Sequence, residues 1–505
     1  MIGYIDSVLN RVTMYRLVLY YLAAILAAAL VFGLFGLMPN RPLDLAFSTV
    51  LIVLVCWLTN LVFAKVFRAE TNTESVYITA LILALIISPV TMFDWSGIGF
   101  LIFVSVWAQA TKYIFAIGKK HLFNPAAFAV ALTAFTLGEA ATWWVGGNLI
   151  LLPFVLIGGL LVVRKVRRFD LVLSFFVVAL VTISATSHGA YIESVVQTVQ
   201  HSSLFFLAFV MLTEPLTTPP TRFHRMIYGG MVGFLFAPAI HIGSFYMTPE
   251  IGLLVGNVYS YIVSPKGRYM LTLLSVEKAA ESVYTFIFSP DRKFSFRPGQ
   301  YLEWTLGHRG ADSRGNRRYF TIASAPTEKE VHLGVKFYDP PSTFKKTLWD
   351  LKIGGSISAS HLSGGFTLPK DPHKKLVFIA GGIGVTPFRS MVRYLLEKKE
   401  KRSIVMFYAN KTLSDIAYKD EFDRAETELG LRTIHVLNEE KSPLPPGMEQ
   451  GFIDAKLIMR EVPDYRERIF YISGPHAMVE AFKKTLVHMG VSRFNIKSDF
   501  FPGFV

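Results

Sequence analysis

A single cysteine, Cys56, stands in 505 residues. One thiol excludes an intrachain disulfide. It also excludes an iron–sulfur cluster held by this chain alone, which needs about four ligands, mostly thiolates. No metal site is expected elsewhere. Charge is the second scarcity: before about residue 264 the chain consists largely of long uncharged runs, while charged residues and alternating patterns dominate afterwards. With 52% hydrophobic residues and a mean hydropathy of +0.41, the chain is too apolar for a wholly soluble protein and too long for one domain. Acidic residues are outnumbered 37 to 51 by basic ones, a net charge of +14. In a soluble chain that excess would point to nucleic acid. Here much of it lies in short loops beside apolar runs, so it reads as membrane topology and no nucleic acid is expected.

About ten candidate spans, each near or somewhat under the ~20 apolar residues that cross a bilayer, begin at Leu17, Leu43, Val76, Gly97, Phe123, Trp144, Phe169, Ser194, Met226 and Ile251. The first is long, lacks a small-residue cleavage site and is followed at once by another, so it reads as a span and not as a removed signal peptide. Arg11, Arg16, Lys65, Arg68, Lys119, Lys120, Arg164, Lys165, Arg167, Arg168, Arg222, Arg225, Lys266 and Arg268 all fall on one side if both termini are cytoplasmic; Arg41 is the exception. An integral membrane protein of prokaryotic inner-membrane type is expected, in contact with lipid, with its membrane domain over residues 1–264.

Two spans are interrupted, the third at Ile87-Ser88-Pro89 and the eighth at Thr213-Glu214-Pro215, in matching places of two five-span halves. Halves with odd span numbers have inverted topology, and matching breaks point to a site near the repeat interface; the plainer alternative is that proline ends each helix at the membrane surface. Asn124, Thr213 and Glu214 bring polar groups to the ends of apolar spans, where they tend to face a ligand, a partner helix or water. For Glu214 the roles are a proton relay beside a flavin or quinone, cation coordination, or an ion pair with Arg222 or Arg225. His188 and His201, thirteen apart, have a spacing that suits two haems on one helix, but they lack partner histidines on a second helix, so haem is not expected.

The segments Lys120-His121-Leu122-Phe123-Asn124-Pro125-Ala126-Ala127, Arg164 to Phe169, and Phe209-Val210-Met211-Leu212-Thr213-Glu214-Pro215-Leu216-Thr217 resemble, in that order, the RnfD/NqrB membrane subunits. The resemblance covers most of residues 1–264. It implies ten spans and membrane-bound flavin inside complexes that couple electron transfer to cation movement. The threonine that carries covalent FMN in that family falls here in a shortened segment, Thr136 to Trp143. Thr142 is the nearest candidate, without the family's flanking residues, so covalent FMN is not expected; noncovalent FMN or riboflavin is compatible with the sequence.

After residue 268 the pattern changes. Short alternating segments such as Tyr284-Thr285-Phe286-Ile287-Phe288 predict a small antiparallel β-barrel over 268–372. Apolar strands at Leu376–Ala380, Ser403–Tyr408, Arg432–Leu437 and Arg468–Ile472, with helical stretches between them, predict a doubly wound α/β domain over 373–505. Arg297-Pro298-Gly299-Gln300-Tyr301, Arg318-Tyr319-Phe320-Thr321-Ile322-Ala323-Ser324, Gly381-Gly382-Ile383-Gly384-Val385-Thr386-Pro387 and Tyr471-Ile472-Ser473-Gly474-Pro475 with Met478 resemble the ferredoxin-NADP reductase-like flavoproteins. The resemblance implies FAD and NAD(P)H. It puts Arg318 on the flavin phosphate, Tyr319, Phe320 and Ser324 in the flavin site, and Phe320 on the flavin ring. Thr321 lies near the hydride-accepting atom, and Ser342 and Thr343 on a second phosphate-side loop. Gly474, Pro475 and Met478 hold nicotinamide, with Ser473 where the family has cysteine, and the aromatic tail Phe500 and Phe501 covers the flavin. The residues also speak for themselves: glycines closing a parallel strand let a backbone approach a pyrophosphate, the helix after them favours its charge, and Pro387 suits a first helical turn. Lys411 is a candidate for a 2′-phosphate, although NADH is slightly favoured by family association.

The expected activity is hydride transfer from NAD(P)H to FAD, then electron delivery to a membrane acceptor, a quinone or a second membrane flavin. The alternative is a redox-driven Na+ or H+ translocator, and a redox sensor is a remoter one. Further electron-transport subunits or a second copy are the expected protein partners.

Overall fold

The computed structural model describes residues 12–67, 73–117, 120–187, 189–264, 268–293, 295–308 and 316–499, with Ile5, Val8, Leu9 and Asp312. It divides into two compact units, Met1–Gly267 and Arg268–Val505.

The first unit is helical: α1 (Met14–Leu34), α2 (Pro42–Val66), α3 (Thr73–Ile86), α4 (Trp95–Ile114), α5 (Pro125–Thr136), α6 (Leu152–Val166), α7 (Phe169–Thr186), α8 (Tyr191–His201), a continuation Leu204–Met211, α9 (Arg222–Phe236) and α10 (Pro249–Val263). Caps set the starts. Thr13 and Asp94 accept from the backbone N–H groups of Arg16 and Gly97, and prolines open α2, α5 and α10, where a missing N–H costs nothing. Among the described residues four helices, α1, α2, α4 and α7, are long and apolar enough to cross a membrane, and α8 with its continuation, bent by 65°, makes a fifth if the pair is one span. α3 and α5 are shorter apolar helices.

The short helices are completed by neighbours. α3 stops at Ile86, and a helix ending inside an apolar unit would orphan its last carbonyls. The backbone N–H groups of Thr142 and Trp143 both donate to the Ile86 carbonyl at 2.9 Å, and the Trp144 indole donates to the carbonyls of Ala84 and Ile87. This corrects the expected sixth span: Trp144 lies in a turn, and the helix begins only at Leu152. Asn148 Oδ1 accepts from the N–H groups of Ile150 and Leu151, an Asx turn that halts the chain. α7 and α9 touch at backbone distance. A Cβ on Gly229 or Gly233 would lie 2.5 Å from the carbonyl oxygens of Leu171 and Phe175, the small-residue packing that lets apolar helices associate without a hydrophobic driving force.

The second unit holds two sheets. Strands β1 (Tyr269–Ala280), β2 (Val283–Pro290), β3 (Tyr301–Thr305), β4 (Arg317–Thr321), β5 (Val331–Lys336) and, after the short helix α11 (Thr343–Trp349), β6 (Ser356–Ser363) are antiparallel in the order β4-β3-β6-β1-β2-β5. Just beyond β4, the Ala323 N–H donates to the His332 carbonyl of β5 at 2.9 Å, curling the sheet toward a barrel. Leu271, Phe286, Phe288, Leu302, Trp304 and Leu333 fill its core.

β7 (Leu376–Gly381), β8 (Ile404–Asn410), β9 (Arg432–Leu437), β10 (Met448–Gln450), β11 (Ile469–Ser473) and β12 (Ile496–Asp499) form a parallel sheet ordered β10-β9-β8-β7-β11-β12. Every residue of β7 is buried. Leu376, Phe378 and Ala380 belong to one core cluster, Val377 and Ile379 to another, so the strand is covered on both faces as a central parallel strand must be. Helices α12 (Thr386–Lys398), α13 (Lys419–Leu429), α14 (Ala455–Glu461) and α15 (His476–His488) supply the layers.

Candidate active site

The chain starts this sheet at β7, adds β8, β9 and β10 on one side, then crosses back to place β11 and β12 on the other. The reversal lies between β7 and β11, and a crevice outside the strand ends at such a point is where open α/β sheets bind ligands. The loops there are those carrying Gly381–Gly384 and Ser473–Met478. They are pressed together. A Cβ on Gly384 would lie 2.5 Å from the Ser473 carbonyl and 2.6 Å from Gly474 Cα, and one on Gly381 would run into Met478 Sδ. Gly382 has φ +51° with open space above it, so a backbone surface faces outward just ahead of α12. Thr386 Oγ1 donates to the Ile383 carbonyl and Pro387 sits in the first turn. Exposed backbone at a helix N-terminus is what a pyrophosphate requires, so these residues fit the diphosphate of a dinucleotide.

The barrel meets this crevice through β4. Thr321, 5% exposed, donates from Oγ1 to Asp499 Oδ2 at 3.4 Å, and Asp499 lies opposite Ser473 in the β11–β12 register. Thr321, Ser473 and the glycine loop are thereby gathered at one place. Ser324 Oγ accepts from the His332 N–H and its carbonyl accepts from Ser390 Oγ at 2.6 Å. Arg318, with 10% of its side chain exposed, pairs with Asp312 at 3.1 Å and stacks over Phe344. Phe320 is 8% exposed and packs on Phe344, whereas Tyr319 is 41% exposed, packs edge-on against Tyr301 and donates its hydroxyl to Glu303. The open aromatic face on this strand is therefore Tyr319, and Phe320 turns into the barrel core. Ser342 caps α11, and Thr343 Oγ1 accepts from the Asp312 N–H. Phe500 and Phe501 lie outside the described residues.

Sequence reasoning missed the clamp that joins barrel to sheet. Arg389 of α12, 6% exposed, donates to the Ala323 carbonyl (2.9 Å), to both oxygens of Glu328 (2.9 and 3.2 Å) and to Glu421 Oε1 (2.8 Å). Burial works against the guanidinium's charge, but Glu421 and Glu328 outweigh it and hold its pKa above the ordinary value. Burial also raises the pKa of Glu421, while His332 beside the cluster is pushed down to about 4 by burial and by Arg389. Asp499 was likewise not singled out.

In the helical unit, Glu214 gathers hydrogen-bond partners from the stretch His121–Asn124 and from its own loop. Its Oε1 meets His121 Nε2 at 3.1 Å, and its Oε2 accepts from Asn124 Nδ2 at 2.9 Å and Thr217 Oγ1 at 3.2 Å. The Asn124 N–H donates to Asn257 Oδ1, and Asn257 Nδ2 to the Tyr228 hydroxyl. The expected alternative, an ion pair of Glu214 with Arg222 or Arg225, is corrected for Arg225, which holds Asp170 of α7 at 2.6 Å. Thr213 donates back to the Phe209 carbonyl of its own helix and takes no part. Thr142 donates to the Ile86 carbonyl and lies 3.1 Å from Ser88 Oγ. His188 lies outside the described residues.

Residues 378–484 match the oxidoreductase NAD-binding domain family. Curated relatives include a flavohemoprotein of Bacillus cereus, 27% identical over 242 residues, 45% of this chain and 59% of that protein. A component of the Na(+)-translocating NADH-quinone reductase of Serratia proteamaculans is 30% identical over 200 residues, 37% of this chain and 49% of that protein. Among solved structures, an Amycolatopsis cytochrome P450 reductase is 25% identical with a TM-score of 0.42, covering 46% of this chain and 69% of that one. The chain spans about half to three-fifths of the length of these curated relatives. The C-terminal unit thus combines a barrel with a sheet bearing an NAD-binding domain, the architecture of an FAD- and NAD(P)H-dependent oxidoreductase module.

Proposed function

We propose that the whole chain is a membrane-bound NAD(P)H oxidoreductase that passes electrons from the C-terminal unit to an acceptor in the helical unit, a quinone or a noncovalent membrane flavin. The observation that carries the reading is the meeting of Thr321 and Ser473 through Asp499 beside the glycine loop, because hydride transfer needs the flavin and nicotinamide subsites at contact. FAD, when bound, supplies acceptance of an electron pair and its release as single electrons.

The chain's own residues divide the work. Gly381, Gly382 and Gly384, with the α12 N-terminus at Thr386 and Pro387, receive the dinucleotide's pyrophosphate. Ser473, Gly474, Pro475 and Met478 bound the nicotinamide. Arg318 supplies a cation for flavin phosphate, Tyr319 the open aromatic face of β4, and Thr321 a hydroxyl oriented by Asp499. Ser324, Ser342 and Thr343 fix the surrounding backbone. In the helical unit Glu214, held by His121 and Asn124, offers a carboxylate for proton exchange with the reduced acceptor.

The ten-span topology with cytoplasmic termini belongs to the same reading, supported by the one-sided basic loops. Lipid, quinone, further electron-transport subunits or a second copy are its partners. A redox-driven Na+ or H+ translocator is the second reading, favoured by the polar cluster at Glu214 inside an apolar unit. The test is anaerobic reduction of the purified protein by NADH, followed by turnover with ferricyanide and with a soluble quinone. Flavin bleaching and turnover with both support the proposal. Bleaching without quinone reduction removes the quinone, and no bleaching removes the whole reading. Ion uptake into liposomes during turnover decides for translocation.

A further inference from the structure

Going beyond electron transfer, and resting on the membrane-bound reading of the helical unit, we propose that the edge of the parallel sheet opposite the nucleotide crevice docks on anionic lipid headgroups. The glycine loop sits where β7 ends, at Gly381, and the opposite edge is built from the loops that enter the strands. Those loops form one continuous surface. Arg402 Nη1 donates to the Pro369 carbonyl at 2.9 Å, and Arg468, at the start of β11, donates to the Leu376 carbonyl at 3.3 Å and to Ser403 Oγ at 3.2 Å. The Tyr465 hydroxyl donates to the Met489 carbonyl at 3.3 Å, joining the turn before β11 to the one before β12.

The charge on that surface is one-sided. Lys370, Lys374, Lys398, Lys399, Lys401 and Arg493 are exposed, and none is held in an ion pair among the described residues. The acids beside them are already matched. Asp464 lies between Lys375 at 2.8 Å and Arg468 at 2.6 Å, Glu467 on Lys375, Glu400 on Arg402 and Glu397 on Arg393. Asp371 accepts from the His373 N–H. Next to Arg493 stands Phe494, 95% exposed. A bare ring flanked by cations suits the headgroup boundary of a bilayer, where the ring enters the apolar layer and the cations meet phosphates.

The connection to the helical unit permits this orientation. The chain leaves α10 at Val263 and enters β1 at Tyr269. β1 has 12 residues, about 40 Å of strand, and its far end reaches the nucleotide side: the Glu281 N–H donates to the Ser414 carbonyl, in the loop after β8, at 3.0 Å. The tether therefore enters away from the crevice, and the basic edge settles on lipid with the crevice open to solvent. Each cation near an anionic surface strengthens docking by about fivefold.

The experiment places the full-length protein in nanodiscs of phosphatidylcholine, with or without phosphatidylglycerol, whose acyl chains are brominated. A fluorophore is attached at Ser492→Cys, beside Phe494, or at Phe452→Cys, where the wild-type ring is 78% exposed after β10 on the nucleotide side; Cys56 is buried and takes no label. Quenching is expected at Ser492→Cys in phosphatidylglycerol discs, lost in phosphatidylcholine alone and at high ionic strength, and absent at Phe452→Cys. Lys370→Gln/Lys374→Gln/Lys401→Gln lowers the docked-to-free ratio by about a hundredfold, while NADH-driven ferricyanide reduction is unchanged. No quenching at Ser492→Cys in phosphatidylglycerol discs overturns the inference and hands the edge to an acidic protein surface. Equal quenching in phosphatidylcholine alone, at Phe452→Cys or in the triple variant overturns it as well. A chain that does not enter nanodiscs gives a different result: it removes the membrane-bound reading, and this inference with it.

Discussion

Replacing Arg389 by methionine keeps most of the side chain's length and removes its charge, leaving the carboxylates of Glu328 and Glu421, 10% and 20% exposed, without their nearest cation, while Arg393 stays 3.9 Å from Glu328. Breaking a buried ion pair from one side costs about 3–5 kcal/mol, since the partner charges stay desolvated. The bond to the Ala323 carbonyl is lost too, so the segment after the strand carrying Thr321 keeps only the Ser390–Ser324 bond as a tie to α12. Urea unfolding of the full chain in detergent at pH 7.5, followed by flavin fluorescence on release, reads the C-terminal unit. Arg389→Met should lower its unfolding free energy by about 3–5 kcal/mol. The triple variant Arg389→Met/Glu328→Gln/Glu421→Gln should recover a large part, because the stranded charges are gone. Lower pH should ease the single variant in the same way, as its carboxylates take up protons. A loss under about 1 kcal/mol, or a triple variant no better than the single, would refute the view that this cluster clamps barrel to sheet.

Two further outcomes follow from the same unit. Gly384→Ala drives a Cβ into backbone atoms of Ser473 and Gly474, which cannot rotate away. Stopped-flow bleaching by NADH should slow by more than about tenfold while flavin content is unchanged; bleaching at the wild-type rate would remove the close loop contact from the mechanism. His332 and His435 are both pushed down to about 4 by burial, ahead of Arg389 and Lys419 respectively. Between pH 6.5 and 4 the unfolded chain binds protons that the folded one refuses, so stability is lost as the pH is lowered through that window, by about 3 kcal/mol at most for each histidine. His332→Asn should flatten the slope of unfolding free energy against pH, and an unchanged slope would show that His332 titrates normally when folded.

What was legible in the sequence was what local chemistry dictates. Gly381, Gly382 and Gly384 after an apolar strand, with Pro387 opening a helix, leave few backbone solutions, and β7 runs from Leu376 as the apolar run indicates. What was not legible depends on partners far along the chain. Thr321 and Asp499 are 178 residues apart, and nothing near either announces the other. Arg389 on an amphipathic helix reads as solvent-facing until the barrel covers it. Glu214 illustrates the same limit: Arg225 is near in sequence, but the Gly229 and Gly233 contacts dock α9 on α7 and give Arg225 to Asp170, leaving Glu214 to His121 and Asn124. Hydropathy also cannot say where an apolar stretch turns, so the span expected from Trp144 starts a full loop later, after Asn148 has stopped the chain.

Glu214 is where the two halves of the proposed activity come apart experimentally. Its carboxylate accepts from His121, Asn124 and Thr217, and the Asn124 amide can only donate at Nδ2. Glu214→Gln keeps the size but replaces one acceptor oxygen with a donor, so whichever way the amide turns, a donor faces a donor or the His121 contact must reverse its sense; the local cost is about 1–3 kcal/mol. The substitution lies in the helical unit, outside every loop that meets the nucleotide. If Glu214 serves proton exchange at the membrane acceptor, NADH-driven ferricyanide reduction at the C-terminal unit persists while quinone reduction falls by at least about tenfold, the lower end of what a positioned acid or base contributes. If both rates fall together with flavin content, the carboxylate is only a strut between α5 and the segment after Met211. If neither falls, the acceptor is reached elsewhere and the polar cluster at Glu214 has no part in electron delivery.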